Sequence, residues 1–146
     1  VAKVIGAVLA GGMVSSAVAV AVAAACGADR AVMGVVSVKS VTAPIALAIH
    51  MPYELDRGMV AAACVLAGVY GAVVLPLLAS WLRLDESAGY GLGVGVTAHG
   101  IGVGARGGSC PSAVGLAVAG LAINGVLTAV WLPLRLEPML TLFGHG

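Results

Sequence analysis

Residues 89–106 read GYGLGVGVTAHGIGVGAR, with glycine at 89, 91, 93, 95, 100, 102 and 104. The stretch holds no Asp, Glu or Lys, and Arg106 closes it. An interior glycine costs a water-exposed helix about 1 kcal/mol relative to alanine. Seven of them make sense only where bare backbone must approach something closely. Thr97 and His99 stand in the middle as two polar groups in an apolar run. The stretch reads as the irregular, function-bearing segment of a membrane protein, and the flanking sequence agrees.

The 146 residues are 61% hydrophobic and 9% charged, mostly Ala, Val, Gly and Leu. A soluble domain carries about 25% charged residues, so this chain has too few to cover a water-facing surface. Small residues in this abundance suit helices packed closely in lipid. A formal charge of +1 offers no basic field to nucleic acid. Cys26, Cys64 and Cys110 are isolated in apolar surroundings and match no paired or metal-binding spacing, so they read as small buried hydrophobes.

Outward from the glycine stretch lie four further hydrophobic segments. Residues 4–26 run for 23 positions without a charge, enough to cross a hydrocarbon layer about 30 Å thick. That run also exceeds the apolar region of a secretory signal, about 7–15 residues. Gly27, Ala28, Asp29 and Arg30 give a polar turn. Residues 31–53 are apolar but interrupted by Lys39, Ser40, Thr42 and Pro44, and Pro44 should kink or stop a helix. Residues 51–58 form a polar loop. Residues 59–82 follow, with Trp81 and Arg83 placed as headgroup anchors. After the glycine stretch, residues 112–134 make the last span, with Asn124 midway. The predicted fold class is therefore all-α, a polytopic membrane helix bundle with about five hydrophobic segments, two of them interrupted. Residues 1–137 form the membrane domain and 138–146 a short interfacial or loose tail. Open strands would leave amides unsatisfied in lipid, and the alternation of a barrel strand is missing. If all five segments cross, Lys3, Arg57 and Arg106 face one side and Arg30, Arg83 and Arg135 the other, which leaves orientation open.

Little here points to covalent chemistry. Gly102, Gly104 and Gly107 match a dinucleotide fingerprint in letters, but no strand precedes them and no acidic residue follows about 20 positions on. The acids cluster in loops, no nucleophilic triad can be assembled, and His50, His99 and His145 are too scattered for a metal site. The expectation is no enzyme, no cofactor and no metal. Lys39 has two readings: a lysine snorkelling to one surface, or an ammonium beside a helix break that lines a polar cavity. In the second, freed amides, the Ser40 and Thr42 hydroxyls and the ammonium would together suit an anion. His99 is either hydrogen-bonded to a nearby carbonyl or able to carry a proton or hold an anion. Gly91/Gly95 and Gly100/Gly104 are small-xxx-small pairs, whose simpler role is tight helix packing. Asn124 reads first as interhelical glue. Val41-Thr42-Ala43 before Pro44 echoes Val96-Thr97-Ala98 before His99, and paired broken segments point to a transporter's midplane site.

Several of these stretches carry a resemblance. Lys39-Ser40-Val41-Thr42-Ala43-Pro44-Ile45-Ala46, then Gly91-Leu92 with His99-Gly100-Ile101-Gly102, resemble the two signatures of the LrgB/CidB antiholin-like membrane proteins. Asn124-Gly125-Val126-Leu127-Thr128-Ala129 with Leu132-Pro133 resembles their last helix. The plant relative is the plastid glycolate/glycerate translocator. Val38 and Ala43 stand where the family usually has Pro and Thr. Arg106 comes one place later than the family's arginine, about 100° around a regular helix, and acidic residues usual after it are replaced by Gly107-Gly108-Ser109-Cys110. Members usually begin further upstream, so one or more N-terminal helices are expected beyond Val1.

The resemblance implies an integral protein of the bacterial plasma membrane with one of two roles. The first is secondary transport of small organic acids such as glycolate, glycerate or pyruvate. The second is antiholin-like modulation of murein hydrolase activity and lysis beside an LrgA/CidA holin-like partner. A homo-oligomer is also compatible with it. Transport suits the residues better, since a pore modulator has no evident need for Lys39 and His99 at depth. The candidate binding set is Lys39, Ser40, Thr42, Thr97, His99 and Asn124, with Pro44, Gly95, Gly100 and Gly102 shaping the breaks.

Overall fold

The computed structural model describes residues 2–53, 55–84, 88–106 and 111–143, and all regular structure among them is helical. In chain order come α1 (Ala2–Ala25), α2 (Arg30–Ser37), α3 (Ala43–His50), a 3-10 turn (Met51–Tyr53), α4 (Arg57–Leu82), α5 (Ala88–Arg106) and α6 (Pro111–Phe143). Among the described residues, three helices are long and apolar enough to cross a membrane: α1, α4 and α6. The other two hydrophobic segments are the interrupted ones. Residues 31–53 divide into α2, α3 and the 3-10 turn, and α5 bends within its length.

The helix ends follow local chemistry. α1 stops because Gly27 adopts φ 76°, a left-handed conformation that costs glycine nothing. Its N–H and that of Ala28 then reach back to the carbonyls of Ala24 and Ala23, at 2.9 and 3.0 Å. Asp29 and Asp56 cap the next starts, accepting from the Val32 N–H at 2.8 Å and the Met59 N–H at 2.7 Å. α4 ends on Arg83 in the left-handed region, φ 58°, with the Leu84 N–H on the Ala79 carbonyl at 2.8 Å.

Packing is driven by a small interior and leaves a large apolar exterior. Val20, Met33, Val38, Val60, Leu132 and Leu136 share a buried cluster where α1, α2, α4 and α6 meet, closed by Ala46 and Ile49 of α3. Ala79, Tyr90, Val94 and Ala117 form a second cluster between α4, α5 and α6. Outside, Val14 is 61% exposed, Leu66 68% and Leu134 73%. Apolar side chains turned outward along three long helices are what lipid solvates and water does not.

Two expectations change. α6 does not end near residue 134 but continues through Pro133 and Pro138 to Phe143. The extension stays helical because it is not loose: Leu136 and Leu140 are buried in the main cluster, and Glu137 pairs with Arg30 at 2.5 Å. Cys26 is exposed just past the end of α1, whereas Cys64 is buried as expected. Cys110 and His145 lie outside the described residues, as does the Arg106 side chain.

Candidate functional site

The first break lies between α2 and α3. Residues 38–41 leave the helix in turns, with the Lys39 N–H on the Val36 carbonyl at 3.3 Å and the Val41 N–H on the Val38 carbonyl at 3.2 Å. Pro44 sits in the first turn of α3, where a missing N–H removes no helical bond. Thr42 is the residue before that helix: its carbonyl accepts from the Ala46 N–H at 2.9 Å, while its hydroxyl makes no capping bond. Pro44 therefore starts a new helix rather than bending an old one.

Lys39 turns inward from this break. Its Nζ donates to Ser15 Oγ of α1 at 2.8 Å and to Ser40 Oγ at 3.1 Å, and the two hydroxyl oxygens lie 2.8 Å apart. An ammonium has three protons to donate, and these contacts use two. No carboxylate among the described residues pairs with it; the ion pair found there is Arg30–Glu137, with both side chains about half exposed.

The second break falls inside α5, on His99 itself, at φ 36° and ψ −136°. A non-glycine residue held in such a conformation costs roughly 1–3 kcal/mol. It persists here because the ring is fixed: Nε2 lies 2.9 Å from the Cys64 carbonyl of α4, and the side chain is buried. Cys64 also reaches the first break, its Sγ donating weakly to the Val38 carbonyl at 3.8 Å. The glycines around His99 serve packing more than bending. A Cβ on Gly95 would collide with the Ala117 carbonyl of α6, and one on Gly102 would collide with Ala98 across the break. Gly100 and Gly104 face nothing within 4 Å, so of the two small-xxx-small pairs only Gly91/Gly95 makes a helix contact.

A groove of about 610 Å³ runs between α4 and the two breaks, with Ser15, Lys39, Tyr70 and Thr97 among its lining and an otherwise apolar wall. Thr97 also donates to the Gly93 carbonyl of its own helix at 2.7 Å. Lys39 and Thr97, one from each broken segment, are thus brought to one space. Thr42, His99 and Asn124 do not line it. His99 faces α4, and the Asn124 amide donates to the carbonyls of Ser40 and Val96, at 2.7 and 3.4 Å. Ser15 and Tyr70 escaped the sequence reading. Ser15 had a signal: it and Ser16 are the only hydroxyls in the apolar run 4–26. Tyr70 had none, being one aromatic in a long apolar helix. An ammonium with a proton to spare, flanked by hydroxyls in an apolar groove, is complementary to a single negative charge that accepts hydrogen bonds.

Comparisons with known proteins bear on the family. The model of the LrgB-like family matches residues 1–137. The uncharacterized protein YxaC of Bacillus subtilis (strain 168) is 31% identical over 102 residues, covering 68% of this chain and 43% of YxaC. The chain thus spans less than half the length of that relative. No solved structure matches it. From its apolar helices, its two signature stretches and the match along nearly all of its length, the chain belongs to the LrgB-like family of integral membrane proteins.

Proposed function

We propose that this chain carries the binding region of a secondary transporter for small organic acids of the glycolate, glycerate or pyruvate kind, in a bacterial plasma membrane. The observation that carries the reading is Lys39: an ammonium drawn in between Ser15 and Ser40 at a helix break, with no described carboxylate to neutralise it. Cations held away from water without a partner are expensive and mark ion or substrate paths. A substrate carboxylate would take the third ammonium proton, with the Tyr70 hydroxyl as a further donor along the groove; the Thr97 hydroxyl, whose proton is on the Gly93 carbonyl, lines the same space. Lys39 and Thr97 come from the two broken segments, so a substrate between them would sense both.

The test is uptake of labelled glycolate, glycerate and pyruvate by proteoliposomes containing the full-length protein. Wild type is expected to take up at least one of them. Removing one partner of a buried charged contact costs about 2–5 kcal/mol, so Lys39→Ala should lower uptake at least about thirtyfold while inserting in equal amount. Uptake unchanged by that substitution refutes the site. No flux of any acid from wild type, together with altered autolysis in cells, would replace transport by lysis control beside a holin-like partner.

A further inference from the structure

We propose that Asn124 is a positioning residue that ties the two helix breaks together, holding Lys39 and Thr97 in one register without itself touching what the groove binds. The argument starts from which backbone groups the breaks strip. In a regular helix the Ser40 carbonyl would accept from the N–H of residue 44, but residue 44 is proline and has none. The Val96 carbonyl would look to the N–H of Gly100, one residue beyond the non-helical His99. The first break therefore strips the Ser40 carbonyl of its helical donor, and the second puts the helical partner of the Val96 carbonyl just past the bend, in a setting that has no water to help either.

A primary amide carries two N–H donors on one nitrogen, and Asn124 Nδ2 directs one to each of these carbonyls, Ser40 O at 2.7 Å and Val96 O at 3.4 Å. Two acceptors around that nitrogen also fix which end of the amide is which. Asn124 is 2% exposed, so the amide has no competing solvent. Its position is held from the other side: a Cβ on Gly12 of α1 would sit 2.5 Å from Asn124 Oδ1. Gly12 thus leaves room for this one side chain, and Thr128 lies below it with its Oγ1 3.5 Å from the same oxygen. Because one nitrogen serves both breaks, neither can rewind or shift without releasing the other's carbonyl or dragging the amide along. This holds whatever solute the groove takes, so the test needs none.

Hydrogen exchange on the full chain in lipid nanodiscs reads the coupling directly. Leaving a buried carbonyl unsatisfied costs about 1–3 kcal/mol, so in Asn124→Leu amides at 41–43 and at 100–102 should both exchange roughly ten- to a hundredfold faster. Amides of α6 on either side of residue 124 should stay as in wild type. Gly12→Ala approaches the same amide from another helix and should loosen the same two stretches; added to Asn124→Ala it should do nothing more, since its target is gone. Loosening at one break only, a uniform loosening of α6, or fully additive effects of the two substitutions would overturn the proposal.

Discussion

Gly93 and Gly95 are two residues apart on one helix, and alanine at each should push stability in opposite directions. Both substitutions gain about 1 kcal/mol by removing glycine from a helix interior. At Gly93 the new methyl meets nothing within 4 Å, so that gain should survive. At Gly95 the same methyl would lie within the Ala117 carbonyl oxygen of α6, 2.8 Å from the Leu121 nitrogen and 2.9 Å from the Ala117 carbonyl carbon. Comfortable separations begin at about 3.5 Å, so α6 must retreat by more than about one ångström to clear the Ala117 oxygen. Backbone cannot rotate away as a side chain would. Forcing a packed contact apart costs about 1–3 kcal/mol, and at Gly95 the upper half of that range is expected because the obstacle is main chain. The net is about 1–2 kcal/mol lost for Gly95→Ala and up to about 1 kcal/mol gained for Gly93→Ala. Thermal unfolding of both variants in one detergent, followed by tryptophan fluorescence, measures the difference. Equal shifts of the two midpoints would refute the reading that α5 rides on α6 through bare backbone at residue 95.

Other consequences are narrower. Ser15→Ala removes one of the two hydroxyls that hold the Lys39 ammonium; a hydrogen bond to a charged group is worth about 1.5–3 kcal/mol, so the apparent KM for acid uptake should rise roughly tenfold or more while the protein inserts normally. Glu137→Gln breaks the Arg30–Glu137 bridge, but both side chains are about half exposed, so the loss should stay under about 1 kcal/mol, shrink further with added salt, and leave uptake unchanged. Unchanged KM in the first case, or lost uptake in the second, would contradict the assigned roles.

Much of the fold could be read in the letters because apolar length is a strong signal. The uncharged run 4–26 became α1 and the run 59–82 became most of α4; Pro44, expected to kink or stop a helix, does interrupt its segment, but as the start of a new helix. Aspartates 29 and 56 stood where caps belong. What escaped was set by tertiary contact. The glycines drew attention as break points, yet the chain breaks on His99, whose ring is held by a carbonyl of another helix. The letters put the end of the last span near residue 134 and a short tail from 138, but the helix passes through Pro133 and Pro138 because Leu132, Leu136 and Leu140 lie on one buried face. The site divided in the same way. Lys39 was conspicuous as a charge among apolar residues, while Ser15, 24 positions earlier, became its partner only through folding. Asn124, read first as interhelical glue and also included in the candidate binding set, donates to backbone carbonyls of two other segments, as glue would.

The central claim, that the ammonium of Lys39 receives a carboxylate, can be tested on the side chain itself because Lys3 and Lys39 are the only lysines in these 146 residues. Lys3 is exposed near the start of α1 and supplies an internal reference. Carbon-13 NMR of the full-length protein, labelled at lysine Cε and held in nanodiscs, with the Lys39 signal assigned by its loss in Lys39→Arg and the Lys3 signal by its loss in Lys3→Arg, would be followed as pyruvate, glycolate and glycerate are added at constant ionic strength. A saturable shift of the Lys39 signal, with the Lys3 signal unmoved, is the expected result. A Lys39 signal that stays fixed through saturating amounts of every acid that the wild-type protein transports would contradict it.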